Sequence, residues 1–128
     1  MPSSAQGKDP MIVLVEDEPS EREPIMGHLQ EHGFAVEVVD NSDAALALLE
    51  KRSDIQGLVT DAHVPGKIDG FELAALVRER WPRIAVVMMS GHSDASSGPI
   101  PEGGDFVSKP YLFSHLVPAL NRLMGKAP

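Results

Sequence analysis

Two short runs in this chain, MIVLV at 11–15 and IAVVMM at 84–89, are apolar at every position. A strand with one face in water alternates apolar and polar side chains. A strand that does not alternate must be covered on both faces, which is the situation of a central strand in a parallel sheet layered between helices. Further short β-branched runs at 34–39, 57–60 and 106–108 are separated by stretches of helical period, the pattern of βαβ units. Ser20 with Glu23 three residues on predicts a capping box for the first helix, and Ile25, Met26 and Leu29 give it an apolar stripe. Pro24 requires its position to be in or near the first turn, and Gly33 is expected to end the helix. Asn41 or Ser42 can cap the second helix, built on Ala44, Ala45, Leu46, Leu48 and Leu49. Asp69 with Glu72 opens a third through Leu73, Leu76 and Val77, ended near Pro82.

Between the fourth and fifth strands the rhythm breaks. Residues 90–104 contain Gly91, Gly98, Pro99, Pro101, Gly103 and Gly104, so the helix expected there is short or absent. A last helix covers 112–124, with Pro118 disturbing its start. The expected architecture is α/β: an open, doubly wound, five-stranded parallel sheet. The chain of 128 residues makes one domain over 11–124, after a disordered polar tail at 1–10 and before a short tail at 125–128. No apolar stretch exceeds the six residues of 84–89, so no membrane segment is expected. A formal charge of −8 without a block of Lys and Arg makes nucleic acid and anionic membrane poor direct partners. The absence of Cys removes disulfides and thiolate chemistry and points to a reducing, cytoplasmic compartment.

In an open parallel sheet, sites form beyond the carboxyl ends of the strands. Glu16 and Asp17 follow the first strand, Asp61 the third, Ser90 the fourth and Lys109 the fifth, so all five should meet on one edge. Carboxylates held together repel each other and are best offset by a hard divalent cation such as Mg²⁺, which favours oxygen ligands. A lysine nearby suits phosphate, a serine hydroxyl can donate to a phosphoryl oxygen, and one carboxylate can serve as the nucleophile in an aspartyl-phosphate mechanism. No GxGxxG follows the first strand and no GxxxxGK[ST] occurs, which argues against dinucleotides and nucleoside triphosphates.

These residues lie in VEDEP at 15–19, TDAHVPGKIDG at 60–70, MSGH at 89–92 and FVSKPY at 106–111. Together the four segments resemble the receiver domain of bacterial two-component response regulators, over about residues 11–124. The resemblance implies a flavodoxin-like sheet of order 2-1-3-4-5. It also implies that Asp61 is the phosphate acceptor and that Mg²⁺ is held by Glu16, Asp17, Asp61 and the backbone carbonyl of His63. Ser90 and Lys109 would contact the phosphate, and Phe106 would be the switch aromatic. Lys109–Pro110 would be a cis peptide. The chain departs from the family pattern in a loop after Asp61 that is one residue longer, with Lys67 or Ile68 the extra position. It also has Ser and Phe where Thr and Tyr are commoner, and the Gly- and Pro-rich segment after Ser90.

Plainer roles stand beside these. Asp61 could simply end a strand, Glu16 and Asp17 could complement the first helix's dipole, and Lys109 could be solvated. Phe106 is core first and switch second. His63 and His92 either overhang the phosphate and tune its lifetime or are surface residues, and His28, His32 and His115 are read as surface. The resemblance implies a receiver accepting phosphate from a sensor histidine kinase or phosphotransfer protein, and with only Gly125 to Pro128 after Met124 a stand-alone receiver is expected. It would signal to a downstream protein effector or drain phosphate, as a monomer or weak dimer rather than as an enzyme. The alternatives are a receiver module of a larger hybrid kinase, or a Mg²⁺-dependent phosphohydrolase using Asp61.

Overall fold

The computed structural model describes residues 9–90, 105–109 and 112–125. Along the chain run β1 (Met11–Val15), α1 (Pro19–Glu31), β2 (Ala35–Val39), α2 (Ser42–Lys51), β3 (Ile55–Asp61), α3 (Gly70–Arg80), β4 (Ala85–Ser90), β5 (Asp105–Ser108) and α4 (Leu112–Leu123). The five strands form one parallel sheet in the order β2-β1-β3-β4-β5, the order that the resemblance to receiver domains implies. The expected tails at 1–10 and 125–128 fall mostly outside the described residues. The short or absent helix at 93–103, His92 and the Lys109–Pro110 peptide bond also lie outside them.

The sheet is covered on both faces, which explains the unbroken apolar runs. Val13, Val15, Leu58, Val86 and Met88 pack with Ala45 and Leu49 of α2 and with Leu73, Ala74 and Val77 of α3. Ile12, Leu14, Val59, Val87 and Met89 point the other way, onto Ile25 and Leu29 of α1 and Leu116 and Leu120 of α4. Alternate residues of each central strand therefore feed two separate cores, each fully buried aliphatic side chain contributing roughly 1.5–3 kcal/mol. Among the described residues no helix is long and apolar enough to cross a membrane.

Local signals were mostly obeyed. Asn41 caps α2, its side-chain oxygen accepting the Ala44 N–H at 2.7 Å. Asp69 and Glu72 form the reciprocal capping box of α3. Gly33, at φ 91°, closes α1: its N–H and that of Phe34 return to the carbonyls of Gln30 and Leu29, a Schellman arrangement. Three expectations need correction. α1 starts at Pro19, with Glu18 at the cap position and no side-chain cap, so Ser20 and Glu23 do not form the capping box. A proline at the first helical position presets φ and lacks the N–H a cap would satisfy, so the helix begins there. Pro24 consequently lies inside α1, where the carbonyl four residues back loses its helical donor. His28 is half-buried rather than on the surface, because its ring packs edge-on against Phe113 of α4 at 5.0 Å.

Candidate functional site

The site sits where β1 and β3 deliver their last residues. Glu16 continues β1, its N–H donating to the Val39 carbonyl at 3.1 Å, and is only 1% exposed. Asp61 ends β3 beside Met89 and is 7% exposed. Two close approaches hold the chain just beyond it. Ala62 donates to the Met89 carbonyl at 2.8 Å, and the Gly70 N–H to the Ala62 carbonyl at 3.0 Å. A Cβ on Gly70 would collide with the carbonyl oxygen of Asp61, so glycine is required where α3 starts against this loop. The loop itself is docked on the start of α2. Ser42 donates its backbone N–H to the Pro65 carbonyl at 2.9 Å, and Gly66, at φ 124°, leaves no room for a Cβ beside the Ser42 hydroxyl.

Lys109, following β5, reaches into this corner. Its Nζ lies 2.9 Å from Asp61 Oδ2 and 2.8 Å from Glu21 Oε1. Burial works against the charged form of Lys109. Hydrogen bonds to Glu21 and Asp61, with the charges of Asp61 and Glu16, outweigh that and raise its pKa. Glu16 responds in the opposite sense for a carboxyl: burial first, then repulsion from Asp61, pushes its pKa up to about 7. Glu16 Oε2 accepts the Glu18 N–H at 3.2 Å, while Oε1 is buried with no hydrogen-bond partner.

Glu16, Glu21 and Asp61 each offer a carboxylate oxygen, and these oxygens lie within 4.8 Å of one another. Mutually repelling hard oxygen donors, one of them buried and unpartnered, match the donor set that Mg²⁺ prefers. The residues present therefore fit that ion.

Of the residues expected here, the structure brings together Glu16, Asp61 and Lys109. Asp17 is exposed, and its carboxylate is not in the three-acid group. Ser90 is fully buried at the end of β4, opposite Ser108 of β5. His63 is exposed; its N–H makes a long 3.5 Å contact with Asp61 Oδ1, and its ring meets Phe71 edge-on at 6.2 Å. Phe106 is half-buried against the core under α2 and α3. Glu21 was not foreseen. The signal for it was Pro19, which fixes the helix start and so places Glu21 in the first turn above the end of β1.

The fold and site define a flavodoxin-like α/β domain with an acidic cup, bridged by a lysine, at the carboxyl edge of its sheet. Residues 12–121 match the response regulator receiver domain, and the chain belongs to that family of two-component signalling domains. It is 30% identical over 118 residues to the nitrogen assimilation regulatory protein NtrX of Azorhizobium caulinodans, covering 88% of this chain and 26% of that protein. It is 32% identical over 114 residues to the hydrogenase transcriptional regulatory protein HoxA of Cupriavidus necator, covering 86% of this chain and 23% of that one. The chain thus spans about a quarter of the length of these two relatives. A receiver protein from Sinorhizobium medicae superposes with a TM-score of 0.81 at 28% identity, over 92% of this chain and 96% of that one. The receiver domain of a Pseudomonas aeruginosa sensor histidine kinase superposes at 0.77 and 21% identity, over 92% and 99%, and was solved with magnesium coordinated in its active-site cleft.

Proposed function

We propose that the protein accepts a phosphoryl group on Asp61 from a sensor histidine kinase or histidine phosphotransfer protein, in the cytoplasm, and passes the signal to a protein effector or drains phosphate from the kinase. The observation that carries this reading is the 2.9 Å contact of Lys109 Nζ with Asp61 Oδ2 beside buried Glu16. It supports the reading because a carboxylate, an ammonium and a second acid share one corner.

In the transfer, an Asp61 carboxylate oxygen attacks phosphorus. An O–P bond forms as the N–P bond to the donor histidine breaks, and the leaving imidazole nitrogen keeps the electron pair and takes up a proton. Lys109 turns from the carboxylate to a phosphoryl oxygen, and the Ser90 hydroxyl donates to another. Glu16, Asp17, Asp61 and the His63 carbonyl would hold Mg²⁺, which when bound would supply positive charge to offset that of the phosphoryl oxygens. Attack by water later releases inorganic phosphate and restores Asp61. Drawing the Ser90 hydroxyl toward the phosphate lets half-buried Phe106 repack inward, which alters the surface beside β5. A domain working this way is a signalling module that handles one phosphoryl group at a time, as a monomer or weak dimer, and makes no direct contact with DNA.

Incubation with acetyl phosphate and Mg²⁺ should add one phosphoryl group per chain, seen by intact-mass spectrometry and lost on hydroxylamine treatment. Asp61→Asn should abolish it. Labelling that survives this substitution, or phosphate release far beyond one equivalent on a generic phosphatase substrate, would overturn the assignment.

A further inference from the structure

Glu21 belongs to no part of the roles given above, yet it is one of the three carboxylates that share the cup. Its position is set by the backbone. Pro19 opens α1, and the Glu21 N–H donates to the Glu18 carbonyl at 3.0 Å. The side chain is 46% exposed, that of Lys109 27% and that of Asp61 11%, while Glu16 is 1% exposed. Glu16 is therefore the buried floor of the cup and Glu21 its solvent-facing wall. Lys109 spans the gap between Glu21 and Asp61 with contacts of 2.8 and 2.9 Å. With the three acids ionised, one ammonium leaves two negative charges uncompensated, the charge of one divalent cation. Independently, Glu16 Oε1 is a buried acceptor with no hydrogen-bond partner, an oxygen that a cation would satisfy.

We propose that Glu21 is a working member of the cation site: Lys109 occupies it while the site is metal-free, and it turns to Mg²⁺ or to the ion's bound water when Mg²⁺ is present. The exchange follows from electrostatics. A divalent ion among Glu16, Glu21 and Asp61 repels the Lys109 ammonium, and that repulsion frees the lysine for a phosphoryl oxygen at the moment the acceptor becomes competent. Glu21 is thus a positioning residue that couples cation binding to the release of Lys109. This inference rests on the reading of the site as a phosphoacceptor that uses Mg²⁺.

The test is calorimetric titration of the full chain with MgCl₂ at pH 8 and low ionic strength, on wild type, Glu21→Gln and Asp61→Asn, with metal-free melting curves confirming that each variant folds. Glu21→Gln should weaken Mg²⁺ binding about tenfold, the size of effect typical when a group orienting a metal site is lost. If Glu21 is only a surface partner of Lys109 or of the helix dipole, the substitution will alter the metal-free melting temperature and leave Mg²⁺ affinity at the wild-type value, and the proposal fails. If wild type itself binds no Mg²⁺, the failure lies instead with the reading of the site as Mg²⁺-dependent.

Discussion

At the residue scale, the acid cup is held under electrostatic tension by its own fold. Glu16 keeps its proton to about pH 7 because ionising it in a buried place beside Asp61 is unfavourable. A carboxyl whose folded pKa is raised stabilises the native state fully below its unfolded value of about 4.5, and that contribution is lost as pH rises through about 7. In EDTA, wild type should therefore lose stability between pH 5 and pH 8 relative to Glu16→Gln, which has no titrating group at position 16. The difference at pH 8 should be on the order of 2 kcal/mol in favour of the variant. Urea unfolding at the two pH values measures this, and parallel pH dependence of the two proteins would refute it. Lys109 presents the complementary case, a cation shared by Asp61 and Glu21. Lys109→Met should slow labelling by acetyl phosphate about a hundredfold, the cost typical of deleting one charge-stabilising group from a reacting centre. A time course at saturating Mg²⁺ would show it.

At the element scale, the positions of the site residues depend on how each strand hands over to the next helix. α3 starts with Gly70 pressed on the backbone of Asp61 and Ala62, whereas α2 starts with an ordinary side-chain cap from Asn41. Two substitutions at helix starts should therefore behave differently. Asn41→Ala should cost about 1 kcal/mol, the usual value of a cap, with the labelling rate unchanged. Gly70→Ala should cost about 1–3 kcal/mol, since backbone must shift to admit a methyl group, and it should also slow labelling because the shift falls on Asp61. Denaturation midpoints paired with labelling time courses distinguish the two, and a Gly70→Ala protein that labels at the normal rate would contradict this account of the loop. Pro24 inside α1 shows the converse, local propensity overridden: the burial of Ile25 and Leu29 against the sheet keeps the helix going past a missing hydrogen bond.

At the scale of the whole molecule, the two cores fix the sheet, and the sheet fixes the site at its edge. Residues 16, 61 and 109 are far apart in sequence, but β1, β3, β4 and β5 lie side by side, so their carboxyl ends converge. A ligand bound there holds strands and loops from across the chain and should stabilise the fold as a unit. Mg²⁺ at a hundred times its dissociation constant should add about 2.7 kcal/mol to the unfolding free energy. It should also flatten the pH dependence assigned to Glu16. Melting temperature against MgCl₂ concentration checks both, and Asp61→Asn should blunt the response.

The parallel sheet, its two-sided burial and the convergence of Glu16, Asp61 and Lys109 could be read from residue patterns, and the strand order from the resemblance to receiver domains. Unbroken apolar runs and polar residues at their carboxyl ends are local patterns with one global solution, a parallel sheet covered on both faces. The start of α1 was misread because Ser20 with Glu23 and Pro19 are competing local signals, and only the packed helix shows which prevailed. Glu21 as a partner of Lys109, the seat of His28 against Phe113 and the collision that demands Gly70 were decided by tertiary structure. Each depends on a distance between residues remote in sequence, and no periodicity or spacing along the chain encodes such a distance.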